Sequence, residues 1–61
     1  MKEYRYVKPY IKLNKTVLKL GNIYRLEQIG KYIYNVWSKE HDIKICTITQ
    51  KCLNYYFEEV K

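Results

Sequence analysis

The chain has 61 residues, of which 48% are apolar, and 12 basic residues against six acidic ones give it a net charge of +6. This length allows one small domain over residues 1–61 and excludes a second. A chain of this size buries only about 60% of the surface that its unfolded form exposes. A preorganised catalytic pocket with its supporting shell is therefore not expected, and we predict a binding protein and not an enzyme.

The first third of the chain predicts one strand followed by an irregular connection. Alternating tyrosines and charged residues predict a strand near residues 3–8, which Pro9 ends or places at the edge of a sheet. Residues 10–15 are typical of a connector. The pair Gly21 and Asn22 tolerates positive φ and predicts a tight turn.

The middle of the chain predicts an antiparallel meander. Alternation in its first strand places Tyr24 and Leu26 on one face and Arg25 and Glu27 on the other, as in a half-buried strand. Polar segments between the apolar runs predict short turns. The three strands are predicted at residues 23–29, 32–37 and 43–48.

The C-terminal segment changes to a helical period. Apolar side chains recur at the spacing of one helix face, namely Leu53, Tyr56, Phe57 and Val60. We expect a helical turn near residues 49–55, begun either by Thr49 as a cap or by the capping-box pattern from Thr47 to Gln50. Residues 57–60 either continue this helix or return as a last short strand.

The order and spacing of these segments over residues 16–60 resemble the Src-homology-3-like small barrels. Residues 18–26 resemble a hairpin of that family, Trp37 follows in the next strand, and residues 53–60 look like its closing turn and final strand. The resemblance implies a mainly β fold, a small antiparallel barrel with one short helical turn near the C-terminus. The acidic loop that reads arginine in proline-rich ligands is missing, so this peptide-binding activity is not implied.

The residues that could support catalysis or bind a metal are few. Cys46 and Cys52 have five residues between them, which fits neither a zinc knuckle nor a redox pair, and we expect two reduced thiols. His41 lies between Glu40 and Asp42, as expected of a solvated loop histidine. We predict no cofactor and no metal.

The distribution of charge is more informative. Residues 1–39 hold nine of the basic residues and only two of the acidic ones. Cations recur every three to four positions near the amino end with tyrosines between them, a pattern that suits phosphates and bases. Alternatively, the lysines coat an ordinary surface, the tyrosines fill the core and Trp37 is a packing anchor. The predicted anion-binding residues are Arg5, Lys8, Lys12, Lys15, Lys19, Arg25, Tyr6, Tyr10 and Trp37.

Three kinds of partner follow from these patterns. The preferred one is nucleic acid or a nucleotide-type anion. The alternative is a host protein, such as an enzyme or antiviral immune complex. This chain would bind and block it through an open sheet edge, expected at residues 3–8, or through an aromatic patch. A homodimer that completes the small core is the third.

The composition also suggests a setting. Abundant Lys, Ile, Asn and Tyr suggest a low-GC genome, and the resemblance implies an accessory protein of a phage or mobile element. No apolar run approaches the ~20 residues of a membrane span, and the N-terminus does not read as a secretory signal. We therefore expect a cytoplasmic protein, in the host cytoplasm if a phage encodes it, with no membrane partner.

Overall fold

A computed structural model describes residues 1–9 and 18–61 of the chain. It contains five strands and one short helix near the C-terminus, which confirms the predicted mainly β class. In chain order the elements are β1 (Lys2–Tyr6), β2 (Ile23–Gln28), β3 (Ile33–Ser38), β4 (Lys44–Thr49), α1 (Gln50–Tyr56) and β5 (Phe57–Glu59). The predicted connector at residues 10–15 lies outside the described residues.

The strands form one unclosed antiparallel sheet in the order β4-β3-β2-β1-β5. The predicted meander is confirmed, since β2, β3 and β4 pair consecutively. The predicted open edge at residues 3–8 is wrong, because β1 pairs with β2 on one side and with β5 on the other. The strand β5 therefore occupies the side of β1 at which Pro9 predicted an open sheet edge. Closure of the sheet into a Src-homology-3-like barrel stays a prediction.

Alternation along the strands gives the sheet two different faces. The inner face carries the core, where Tyr24 and Leu26 are buried as predicted, while Arg25 and Glu27 point to the opposite side. We call this opposite side the outer face. The buried core residues are Tyr6, Leu18, Tyr24, Leu26, Val36, Ile48, Leu53 and Phe57.

The helix α1 connects β4 to β5, which are the two edge strands of the sheet. Thr49 caps it, as predicted, since its hydroxyl accepts a hydrogen bond from the Cys52 backbone N–H at 3.2 Å. Leu53 is the buried residue of this helix and anchors it to the core. Phe57 then turns into extended backbone and pairs with Tyr6. The open question about residues 57–60 is therefore resolved in favour of a strand, at Phe57–Glu59.

The predicted tight turn before β2 is also confirmed. Gly21 has a φ of 90°, a conformation that glycine adopts without strain. Its N–H donates to the Tyr6 carbonyl at 2.7 Å, and the Asn22 N–H donates to the Lys19 carbonyl at 3.1 Å. The hydrogen bond to Tyr6 holds the turn, and with it the start of β2, against the end of β1. Within the described part of the chain, no helix has the length and apolar character needed to cross a membrane.

Candidate functional site

The structure separates the predicted anion-binding residues instead of gathering them on one face. Tyr10, Lys12 and Lys15 lie outside the described residues. The other six occupy four places, which are the outer face, the core, the end of β1 beside α1, and the turn before β2. Each place has a different electrostatic character.

The outer face holds Arg5 and Arg25, but both of these cations lie close to carboxylates. Arg5 is directly opposite Glu58 in the pairing of β1 with β5. The Arg25 guanidinium forms an ion pair with Asp42 and also reaches the Ser38 carbonyl at 3.5 Å. Arg25 is therefore already paired with a carboxylate of the same molecule, and Arg5 has a carboxylate opposite it on the neighbouring strand.

Three further contacts on the outer face also engage carboxylates. The Lys39 ammonium lies 3.4 Å from the Glu3 carboxylate. The indole N–H of Trp37 donates to the Glu27 carboxylate at 2.9 Å, and the Asn35 amide donates to the same oxygen at 3.4 Å. Trp37 is thus half-buried on the outer face and fixed by a carboxylate. A polyanion approaching this face would meet several negative charges.

Tyr6 is buried in the core and is not available to a ligand, contrary to the prediction. Its side chain has no exposed surface, and its ring lies 5.2 Å from the ring of Phe57, centroid to centroid, within the core. A base can stack only on a ring with an accessible face. The prediction that Tyr6 stacks on a ligand is therefore wrong in this fold, and the alternative that tyrosines fill the core holds for this residue.

Lys8 lies beside the end of the helix and contacts an aromatic ring. The backbone N–H groups of Val7 and Lys8 both donate to the Tyr56 carbonyl, at 2.9 and 3.3 Å. This anchoring places the Lys8 ammonium 4.4 Å from the centroid of the Tyr55 ring, a cation–π contact. Tyr55 is 60% exposed. The result is a cation that lies over the ring of an exposed tyrosine at the surface.

The exposed side of α1 extends this surface. Lys51 precedes Tyr55 by four residues, so the two share one helix face, and Asn54 is exposed beside them. We call the surface formed by Lys8, Lys51 and Tyr55 the helix side. No acidic residue occurs between positions 43 and 57 of the sequence.

The predicted anion-binding residues do not include Lys51 or Tyr55. The acid-free stretch between positions 43 and 57 is the signal in the sequence that indicates them. A count of cations alone does not indicate this stretch, because most cations occur in the amino-terminal segment.

Lys19 belongs to a different feature. It lines a cleft of about 700 Å³ between the turn before β2 and the loop from β3 to β4, together with Ile43 and His41. Its backbone N–H donates to the Tyr24 hydroxyl at 2.8 Å. The side chain of His41 is exposed, as predicted for a solvated loop histidine.

The two cysteines are free thiols packed against the core, as expected. Burial raises the pKa of both thiols above the ordinary value, and the nearby Cys52 raises the pKa of Cys46 further. Both are therefore protonated and weakly nucleophilic at neutral pH. Among the described residues, no group of three or more His, Cys, Asp or Glu side chains is arranged to hold a metal ion.

Comparisons with protein-family models, with curated proteins and with solved structures gave no match to this chain.

Proposed function

We propose that this protein is a non-enzymatic binding module for nucleic acid or a related nucleotide-type anion, and that the helix side is its contact surface. The observation that carries the proposal is the Lys8 ammonium held 4.4 Å from the exposed ring of Tyr55. A cation and an accessible ring are the two groups that phosphate and base require.

The electrostatics favour this surface over the outer face. The net charge of +6 attracts polyanions to the molecule as a whole. Within the described residues, neither Lys8 nor Lys51 forms an ion pair, whereas Arg25 and Lys39 of the outer face do. Contact through the helix side leaves the carboxylates of the outer face away from the phosphates.

The test is a titration of fluorescently labelled oligonucleotides at about 50 mM salt, repeated at higher salt. The double variant Lys8→Gln/Lys51→Gln removes two cations from the helix side. The matched control is Arg5→Gln/Lys44→Gln. Lys44 lies opposite Trp37 in the pairing of β3 with β4, so this variant removes two cations from the outer face and the loss of net charge is the same.

We expect the helix-side variant to lose about tenfold or more in affinity and to show a shallower dependence on salt, since each lost phosphate contact lowers the salt slope by roughly one. The control should lose only what the lower net charge explains. Equal losses in both variants would show that the attraction is diffuse. No binding by the unaltered protein at low salt would contradict the proposal altogether.

Two further assignments are part of the same proposal, namely the fold family and the biological setting. We propose a Src-homology-3-like barrel, which is supported by the short helix followed by a final strand at the position that the resemblance implies. We also propose an accessory protein of a phage or mobile element that acts in the host cytoplasm. The support for this is the composition, which is typical of low-GC genomes.

A second candidate function, an inhibitor or adaptor that binds a host protein, is favoured by one observation. At the hairpin between β2 and β3, Ile29, Tyr32 and Ile33 are 53%, 60% and 45% exposed. Exposed apolar side chains that lie together mark interaction sites.

Nuclease-treated capture from a host lysate tests this function. A protein retained by the unaltered chain and by Lys8→Gln/Lys51→Gln, but lost with Ile29→Ser/Ile33→Ser, would favour it over nucleic-acid binding.

A further inference from the structure

Resting on the proposed function, we infer that the helix side recognises unpaired bases and therefore binds single-stranded nucleic acid in preference to a duplex, with Tyr55 as the stacking residue.

The Tyr55 ring is both accessible and held in place. Its neighbour Tyr56 packs against it edge to face at a centroid distance of 4.7 Å and an interplanar angle of 70°. The Lys8 ammonium contacts it at 4.4 Å. With both neighbours in place, Tyr55 as a whole residue is still 60% exposed. A ring restrained in this way loses little conformational freedom when a base stacks on it.

Stacking on such a ring requires a base whose face is free. In a duplex, neighbouring base pairs cover the faces, and inserting a side chain between them costs a few kcal/mol per step. In a single strand, the bases can turn outward and stack on an aromatic side chain, as in many proteins that bind single strands. Tyr55 therefore favours the single strand.

The helix side is also too small to read a duplex groove. At 1.5 Å per residue, the seven residues of α1 span only about 10 Å. Leu53 is buried on its inner side. The side chain of Asn54, which could read a base edge, accepts a hydrogen bond from the Gln50 amide at 2.8 Å. We therefore expect contact with one or two nucleotides and little preference for sequence.

The experiment titrates the full chain with a labelled oligothymidine, a mixed-sequence single strand and a duplex of the same length, at one low salt concentration. The variants are Tyr55→Ala, which removes the ring, Tyr55→Phe, which keeps a ring able to stack, and Asn54→Ala as a control on the same helix. Circular dichroism establishes that each variant is folded.

We expect the single strands to bind about tenfold more tightly than the duplex, and the two single strands to bind alike. Tyr55→Ala should lose about tenfold in affinity for single strands, within the range measured for one stacked base, and should leave duplex affinity unchanged. Tyr55→Phe and Asn54→Ala should bind like the unaltered protein. In NMR spectra, the ring protons of Tyr55 should shift upfield when the single strand is added.

Two results would overturn this inference in distinguishable ways. If single strand and duplex bind equally and Tyr55→Ala changes neither affinity, the protein binds polyanions without reading bases, and the proposed function survives alone. If none of the oligonucleotides binds at low salt, the proposed function fails and this inference fails with it.

Discussion

The outer face and the helix side carry the same kinds of residue and use them differently. On the outer face, Arg25 pairs with Asp42 and Lys39 pairs with Glu3. On the helix side, the Lys8 ammonium contacts the Tyr55 ring. The cations of the outer face pair with carboxylates of the same molecule. Lys8 of the helix side contacts a ring instead and can still bind an anionic ligand.

This difference teaches that a count of cations does not locate a binding surface. The outer face contains two of the predicted arginines and the only tryptophan, which together suggest an ideal site for nucleic acid. Its carboxylates change that assessment, because Glu27 binds the Trp37 indole and Glu58 lies opposite Arg5. The position of the acidic residues is what separates the two regions.

The largest effect that we expect comes from removing the anchor of the helix side. Leu53→Ala deletes a side chain that is only 2% exposed, and such deletions cost about 2–5 kcal/mol. A domain of this size has a total stability of only a few kcal/mol, at roughly 0.05–0.15 kcal/mol per residue. We expect a large fall in the midpoint of thermal unfolding, followed by circular dichroism, and loss of oligonucleotide binding.

Asn54→Ala, one residue further along the same helix, provides the comparison for this variant. Asn54 is exposed, so its replacement should change stability by less than about 0.5 kcal/mol. If Leu53→Ala unfolded at the same temperature as Asn54→Ala, the helix would not depend on the core for its place, and the helix side would not be a preformed surface.

The fold followed from local sequence patterns to a large extent, for physical reasons. The period of two in β2 and the helical period around Leu53 both report burial on one face, and burial is what the structure shows for Tyr24, Leu26 and Leu53. The position of β1 inside the sheet, between β2 and β5, could not be predicted in the same way. Pairing of β1 with β5 joins the two ends of the chain, and no local pattern reports a contact between such distant segments.

The candidate site was harder to predict than the fold. Tyr4 and Tyr6 alternate with charged residues in β1, so the sequence shows that Arg5 points away from them but does not show which side is covered. The helix and β5 cover the side of Tyr6. Lys8 and Tyr55 are 47 positions apart, and only the anchoring of Lys8 to the end of the helix brings them together. Three predicted residues, Tyr10, Lys12 and Lys15, lie outside the described chain.

A smaller effect is expected from the contact between Trp37 and Glu27 on the outer face. Trp37→Phe keeps an aromatic ring but removes the N–H that donates at 2.9 Å, and a hydrogen bond of this kind contributes about 1 kcal/mol. A double-mutant cycle with Glu27→Ala, measured by urea unfolding, should give a coupling energy of about 0.5–1.5 kcal/mol.

Oligonucleotide affinity of Trp37→Phe should change by less than about twofold, since a residue away from the contact surface adds little to binding. A loss as large as that of Tyr55→Ala would place the binding surface on the outer face.

The smallest effect is expected at the ion pair between Arg25 and Asp42. Asp42 has a φ of 54°, a left-handed conformation that Asp and Asn tolerate better than other residues with a side chain. Asp42→Asn therefore keeps the backbone preference and removes only the charge. Because the Asp42 side chain is 76% exposed, we expect a loss of only about 0.2–1 kcal/mol in urea unfolding at low salt, and almost none at roughly 1 M salt.

The same variant tests the division between the two surfaces, because it leaves Arg25 without its carboxylate and makes the outer face more cationic. If the helix side is the contact surface, Asp42→Asn should raise oligonucleotide affinity only slightly, through the change of one unit in net charge. The matched comparison is Glu40→Gln in the same loop, which changes the net charge equally but leaves the ion pair of Arg25 intact. An affinity gain well above that of Glu40→Gln would mean that Arg25, once released, binds phosphate, and that the carboxylates of the outer face restrain a second binding surface.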